Sequence, residues 1–236
     1  MYVLYITYDV RVNGKGIRMR ARFSVADIAA AALEIVDRDG LGGLSMRSLA
    51  TALGTGPMTL YNYVKDRREL EQLVAEAVIA EMKVPAATDD WCADVRAIAT
   101  AMWEAVRRHP NAVPLVLTRR TVSASSYAAA DRLIAALSRA ALADQDVLAS
   151  FRAVLALVTG SAQAELAGPL AGAGREHEQV AVAARIGDLA GDEHPHIAAL
   201  AHVSQRSTAA ADFDRGLTIL LAGIKSLGTG HPPAVD

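Results

Sequence analysis

The residues best suited to chemistry lie in one short stretch, LGTGPMTLYNYVKDRREL, between Leu53 and Leu70. If it is helical from Pro57, Leu60 and Val64 fall one turn apart and face inward with Pro57 nearby. Met58, Thr59 and Asn62 then point outward, flanked by Tyr61 and Tyr63. A solvated helix face normally carries Glu, Lys and Gln, which form helices well. Asparagine, threonine and tyrosine instead suit a DNA groove. An Asn amide can bond adenine through two hydrogen bonds, a Thr or Met methyl can touch the thymine methyl, and tyrosine hydroxyls can donate to phosphates. Lys65, Arg67 and Arg68 follow where cations can meet the sugar-phosphate backbone, and Arg47 upstream could reach a guanine or a phosphate. Taken singly, the tyrosines could be packing residues and the cations ordinary solvated charges. Taken together, capped short helices, a glycine turn, outward aromatics and local charge all agree.

Such a face needs short, well-terminated helices behind it. Residues 24–39 place Val25, Ile28, Ala32 and Val36 on one side, with a box-like Ser24-x-x-Asp27 start and Gly40 as a stop. In LSMRSLATALG, Ser45 can cap, Leu44 and Leu49 can form a hydrophobic staple, and Gly54 ends a helix of about two turns. Gly56 as N-cap and Pro57 at the first helical position start a third helix, PMTLYNYV. Asp66 and Glu69 start a fourth, whose apolar stripe is Leu70, Leu73, Val74, Ala77 and Val78, ending before Pro85. Two short helices joined through Gly54 are the sequence form of a helix-turn-helix.

Charge partitions in the same way. Residues 11–68 hold ten Lys/Arg against five Asp/Glu, net +5, so the remainder, with 14 of the 24 cations and 21 of the 26 acids, is net −7. Only the first part is suited to a polyanion. With 52% hydrophobic residues over 236 positions the chain can build a full core, and its single cysteine excludes an internal disulfide framework. No apolar run approaches the roughly 18 residues of a membrane span and no signal peptide is evident, so a soluble cytoplasmic protein is expected. Cys92 and His109 are the only thiol and imidazole close in sequence, with no readable third member, so no enzyme is expected. His177, His194, His196 and His202 lack a carboxylate frame and GPLAGAG lacks a following Gly-Lys-Ser/Thr, so neither metal nor cofactor is expected.

LSMRSLATALGTGPMTLYNYVKDRRELEQLV resembles the DNA-binding region of the TetR family of one-component transcriptional repressors, most closely its tetracycline-repressor-like subgroup. The match covers about residues 23–82 and is specific at Leu53, Gly54, Thr59, Leu60, Tyr61, Tyr63, Lys65, Glu69 and Leu70. The resemblance implies an all-α fold, with an N-terminal three-helix helix-turn-helix domain and a larger all-helical effector-binding and dimerisation domain. It implies that Arg47, Thr59, Tyr61, Asn62 and Tyr63 face a double-stranded operator with Arg67 against a phosphate, and Met58 and Lys65 join them from their outward position and charge; a two-fold dimer makes the operator palindromic. Thr55 and Gly56 depart from the pattern, in which an aliphatic residue and a serine-like cap are usual. Gly56 costs only a few tenths of a kcal/mol against a polar cap, but a phosphate contact from serine is lost.

Helical periodicity continues over about 89–109, 122–142, 145–167, 177–190, 194–206 and 208–227, broken at HPNAVP, AGPLAGAGRE and GDEHPH. The expected division is an extension over 1–18, the DNA-binding domain with its linking fourth helix over 19–82, and the effector domain over 83–236. The extension has two readings: a strand over the alternating Leu4, Ile6, Tyr8, Val10 and Val12 that pairs outside its own chain, or an upstream addition to a true start at Met19. The segment GKGIRMRAR is either a minor-groove arm or a solubilising tail. The tail GTGHPPAVD is expected to be disordered.

By the same resemblance the chain is a homodimer responding to a small, amphipathic or aromatic effector. Met102, Trp103, Leu115, Leu117, Tyr127, Phe151, Leu155 and Gln163 are pocket candidates, because they stand out from alanine-rich surroundings. The stripe Phe213, Leu217, Leu220, Leu221 and Ile224 is assigned to the dimer interface, with intrachain core as the alternative. The expected function is a repressor released from its operator by the effector. The alternative is a DNA-binding regulator with no small-molecule effector, switched by a protein partner or by abundance.

Overall fold

The computed structural model describes residues 8–12, 15–19, 23–118, 124–167 and 176–228. A short antiparallel hairpin comes first: β1 (Tyr8–Val12) pairs with β2 (Lys15–Met19), Tyr8 opposite Met19 and Val12 opposite Lys15. This corrects the expectation that the alternating segment has no strand to pair with in its own chain. The sequence signal is Asn13-Gly14 between the strands, a pair favoured in two-residue hairpin connections; reading residues 15–19 only as a basic arm hides it. The tail beyond residue 228, expected to be disordered, lies outside the described residues.

All other described elements are helical. Four make the head: α1 (Val25–Gly43), α2 (Met46–Ala52), α3 (Pro57–Leu60) and α4 (Arg67–Ala80). The body holds α5 (Trp91–Arg108), a 3-10 turn at Pro110–Ala112, α6 (Val113–Thr118), α7 (Ala124–Ser138), α8 (Asp144–Ala167), α9 (Glu176–Ala190), α10 (Pro195–Ser204) and α11 (Ala209–Gly228). The expected helices are all present. Gly40 interrupts α1 at φ 70°, a left-handed conformation that glycine adopts without penalty, where the sequence places a stop. The addition is the 3-10 turn with α6. HPNAVP looks like a plain break, but proline is tolerated at a first helical position, and Pro110 starts the turn there.

Two apolar cores form. The head core centres on Ile28, Ile35, Leu49, Leu60, Val64, Leu70 and Val74, and it also takes in Ala112 and Leu115 from beyond the expected boundary at residue 83. The body core joins α5, α7, α8 and α11 through Val95, Ile98, Trp103, Leu133, Leu137, Val154, Val158, Phe213, Leu217, Leu221 and Ile224. The stripe on α11 is therefore intrachain core: Phe213, Leu217, Leu221 and Ile224 are buried and Leu220 is half-buried. This corrects their assignment to a dimer interface. An apolar stripe reports that a helix is covered, not by which chain.

α8 also departs from expectation. Over Asp144–Glu165 it is long and apolar enough to cross a membrane by length and composition, with mean hydropathy 1.4, yet only 22% of that stretch is buried in the chain. It packs through Val154, Val158 and Ala162 onto the body core, and a wide small-residue surface stays outside.

Candidate nucleic-acid interface

Each helix of the head is terminated by the groups its sequence supplies. Ser24 Oγ accepts from Asp27 N at 3.1 Å and Asp27 Oδ2 accepts from Ser24 N at 2.8 Å. That backbone N–H, and secondarily the Ser24 hydroxyl, hold the Asp27 carboxyl below the usual carboxylate range. Ser45 and Ser48 repeat the reciprocal pattern at 3.0 Å each, and Ser48 Oγ also donates to the Gly43 carbonyl at 2.7 Å, tying α2 to the end of α1. A Ser at the third position thus does what Glu does in the usual box.

The turn between α2 and α3 is a Schellman motif. Gly54 has φ 60°, its N–H donates to Thr51 O at 3.1 Å, and Thr55 N donates to Ala50 O at 2.9 Å. Thr55, a departure from the family pattern, still supplies the backbone bond the motif needs. Pro57 starts α3 with Gly56 as a cap that makes no side-chain bond. Regular helix ends sooner than expected, at Leu60, and continues as turns in which Tyr63 N and Val64 N both donate to Leu60 O at 2.9 Å.

The outcome is a short platform with two faces. Leu60 and Val64 are fully buried. On the other face Met58 is 78% exposed, Tyr61 is 49% exposed, and Asn62, Lys65 and Arg47 are exposed. Thr59 and Tyr63 are half-buried, and the Tyr63 ring meets Phe23 edge-on at 6.4 Å, so it both packs the head and borders the platform. Arg67 is held more firmly than the sequence suggests: Nε donates to Glu71 at 2.9 Å and Nη2 to Leu41 O at 3.0 Å. Its guanidinium retains further donors for a phosphate. Asp66 caps α4 through Glu69 N at 2.8 Å, while Glu69 turns back to Lys65 N at 2.7 Å.

The sequence reading missed Arg38. It shares a shallow cleft with Arg47, Ser45, Ser48, Thr51 and Ala52. Its guanidinium bonds Asp39 at 3.0 and 2.7 Å, which keeps the Asp39 carboxyl below its usual range. No local pattern links Arg38 to Arg47, because the kink at Gly40 is what brings them to one cleft.

The pocket candidates do not converge. Trp103 is buried and stacks on Phe213 with ring centroids 4.6 Å apart and planes 5° apart. Its Nε1 is buried without a hydrogen-bond partner among the described residues. Arg107 lies over the same ring at 4.7 Å, and its Nε donates to both Glu165 oxygens at 2.7 and 2.8 Å. Met102, Phe151 and Leu155 are half-buried beside this core. Leu115 belongs to the head core, whereas Tyr127 and Gln163 are exposed, which corrects their grouping as one pocket. The Leu117 side chain lies outside the described residues. A cleft of about 220 Å³ instead opens between α8, α9, the end of α10 and α11, lined by Ser161, Glu165, Ala183, Ser204, Asp212 and Phe213 among others. Large residues are conspicuous in sequence; a cleft is defined by the small ones that leave space.

Comparison with known proteins agrees with this architecture. Residues 84–227 match the family model described as tetracyclin repressor-like, C-terminal domain. An HTH-type transcriptional regulator of Saccharopolyspora erythraea is 34% identical over 139 residues, covering 58% of this chain and 59% of that protein. The HTH-type transcriptional repressor DrrR1 of Streptomyces coeruleorubidus is 31% identical over 141 residues, 59% of this chain and 52% of that protein. The chain thus spans little more than half the length of these relatives. In fold it superimposes on apo ActR of Streptomyces coelicolor with TM-score 0.76 at 24% identity, over 89% of this chain and 99% of that one. For ActR in complex with actinorhodin the TM-score is 0.74 at 25% identity, with the same two coverages.

Proposed function

The chain belongs to the tetracycline repressor-like (TetR) family of transcriptional regulators, and on that premise we propose that it is a cytoplasmic, homodimeric repressor released from a palindromic operator by a small amphipathic effector. The observation that carries the DNA-binding part is the two-faced platform: Leu60 and Val64 bury completely, and Met58, Tyr61, Asn62, Lys65 and Arg47 are exposed on the outward side. In the major groove, Asn62 and Thr59 read base edges, Met58 touches thymine methyls, and Tyr61, Tyr63, Lys65 and Arg67 meet phosphates.

Dimerisation is supported by α8 and α11. The apolar span of α8 is mostly uncovered, and Leu148 on α8 with Ile219 and Leu227 on α11 are exposed. A second copy covering this face would set two platforms about 34–36 Å apart on successive groove faces. Effector binding is assigned to the cleft over Phe213, with the Trp103–Phe213 stack behind it and the Arg107–Glu165 pair at its edge. A flat aromatic compound with polar groups at its edge suits that lining, in which the Phe213 ring stands among Ser161, Ser204, Ser207, Asp212 and Glu165. Release from DNA requires that the effector favour the arrangement of heads that does not fit the operator.

Selection of genomic fragments by the purified protein tests this reading. The expected result is enrichment of a near-palindrome, with Thr59→Ala and Asn62→Ala each losing roughly 1–3 kcal/mol on it and little on random DNA. Arg67→Ala is expected to weaken both and lower the salt slope by about one. Failure of the wild type to enrich any sequence overturns the assignment.

A further inference from the structure

We propose that His109 is a positioning latch, an imidazole that fixes the head on the body by bonding two helices of the head at once. The residue stands at the C-cap of α5 and is 9% exposed. Nδ1 lies 2.8 Å from Asp37 Oδ2 on α1, and Nε2 lies 3.0 Å from Glu81 Oε2 at the C-cap of α4. A neutral imidazole has one N–H and one lone pair, and carboxylates only accept. Both contacts together therefore need one more proton than a neutral ring and two carboxylates hold.

The surroundings of the ring are rich in acceptors. The regular part of α1, α4 and α5 all present C-terminal ends here, where backbone carbonyls carry partial negative charge. Asn111 Nδ2 donates to the carbonyls of Val36 and Asp37 at 3.1 and 3.0 Å, sealing the end of α1. Among the described residues the other charged group facing the cluster is Arg108, with Nη2 at 3.5 Å from Glu81 O and Nη1 at 3.8 Å from Glu81 Oε2. Immediately after, Ala112 and Leu115 are buried in the head core. Residues 109–115 thus plug the head, with His109 as the charged part of the plug and Leu115 as the apolar part.

The consequence is mechanical. Two heads of a dimer read two half-sites only if each is held at a fixed angle, and a movement of α5 or α6 reaches α1 and α4 through this plug. Loss of the extra proton leaves one ring nitrogen facing a carboxylate with no hydrogen between them, so the head gains rotational freedom.

Head-to-body distance in the full chain tests the latch without DNA, so its failure is read separately from failure of the DNA-binding assignment. Spin labels at Ala30→Cys and Glu104→Cys, in a Cys92→Ser background diluted with unlabelled chain, report that distance by electron–electron resonance. The wild type is expected to show a single narrow distribution at about pH 5 that broadens toward about pH 8, the range over which imidazoles lose charge. His109→Ala is expected to lose the narrow peak at every pH. His109→Gln, whose amide can donate one hydrogen to each carboxylate, is expected to restore it without the pH response. Should His109→Ala not fold, Glu81→Ala carries the test, since it removes the carboxylate that Nε2 faces and leaves nothing in its place to accept or donate; broadening at low pH is expected. An unchanged distribution in a folded His109→Ala or Glu81→Ala protein overturns the proposal.

Discussion

The head and the body both leave apolar side chains in solvent, but in different company. On the head, Met58 and Tyr61 stand among Arg47, Asn62 and Lys65, in a segment with net positive charge. On the body, Leu189, Ile197, Leu200, Val203 and Ile219 are exposed on α9, α10 and α11 in a net acidic, alanine-rich setting. Exposed methyl and aromatic groups beside cations suit a groove floored by bases and walled by phosphates. The same groups without cations suit another protein surface or a small apolar molecule. The charge around an uncovered patch, more than its hydrophobicity, separates the two.

The largest expected effect breaks the body side of this comparison. Ile219→Glu puts a charge on the face proposed to pair, and light scattering is expected to report monomer. Operator affinity then falls by roughly 10²–10⁴, the advantage of linked half-sites. A dimer that persists with full affinity would place the interface elsewhere. Within the head, Leu60→Ala is expected to cost about 2–5 kcal/mol in urea unfolding, because the side chain is fully buried. Met58→Ala, two residues away, should change stability by no more than about 0.5 kcal/mol while weakening operator binding. Equal stability losses would mean that the platform does not have two faces. Ser45→Ala removes the cap of α2 and is expected to cost about 1 kcal/mol, read as a lower melting temperature.

The smallest effect concerns the junction to α5. Asp94 is buried, accepts from Thr88 N at 3.0 and 3.1 Å and from Thr88 Oγ1 at 2.8 Å, and pairs with Arg139. Burial pushes its carboxyl up, but the bonds from Arg139 and Thr88 outweigh it and hold the group below the usual carboxylate range. A depressed carboxylate stabilises the fold above its unfolded-state value near 3.9 and ceases to do so as pH falls through the lower folded value. Asp94→Asn is therefore expected to lower stability at neutral pH and flatten the acid limb of the urea midpoint against pH. An acid limb identical to the wild type would show that the pair is not linked to folding.

What could be read from the sequence was whatever depends on neighbours within about four positions. Caps at Ser24, Ser45 and Asp66, the glycine turn at Gly54, the proline start at Pro57 and the alternation of Leu60 and Val64 against Met58 and Asn62 are all local, so backbone sterics and hydrogen bonding determined them in advance. Which chain covers an apolar stripe is not local. The α11 stripe faces its own core because α5, α7 and α8 pack on it, α5 from as far as the 118 positions that separate Arg96 from Asp214, and only that packing left Ile219 outside and Phe213 in. The same holds for Arg38 beside Arg47, for Leu115 inside the head, and for His109 between Asp37 and Glu81, which are 72 and 28 positions distant. Local chemistry determined the two-faced platform; only the tertiary structure decided how that platform is held and which surfaces remain exposed.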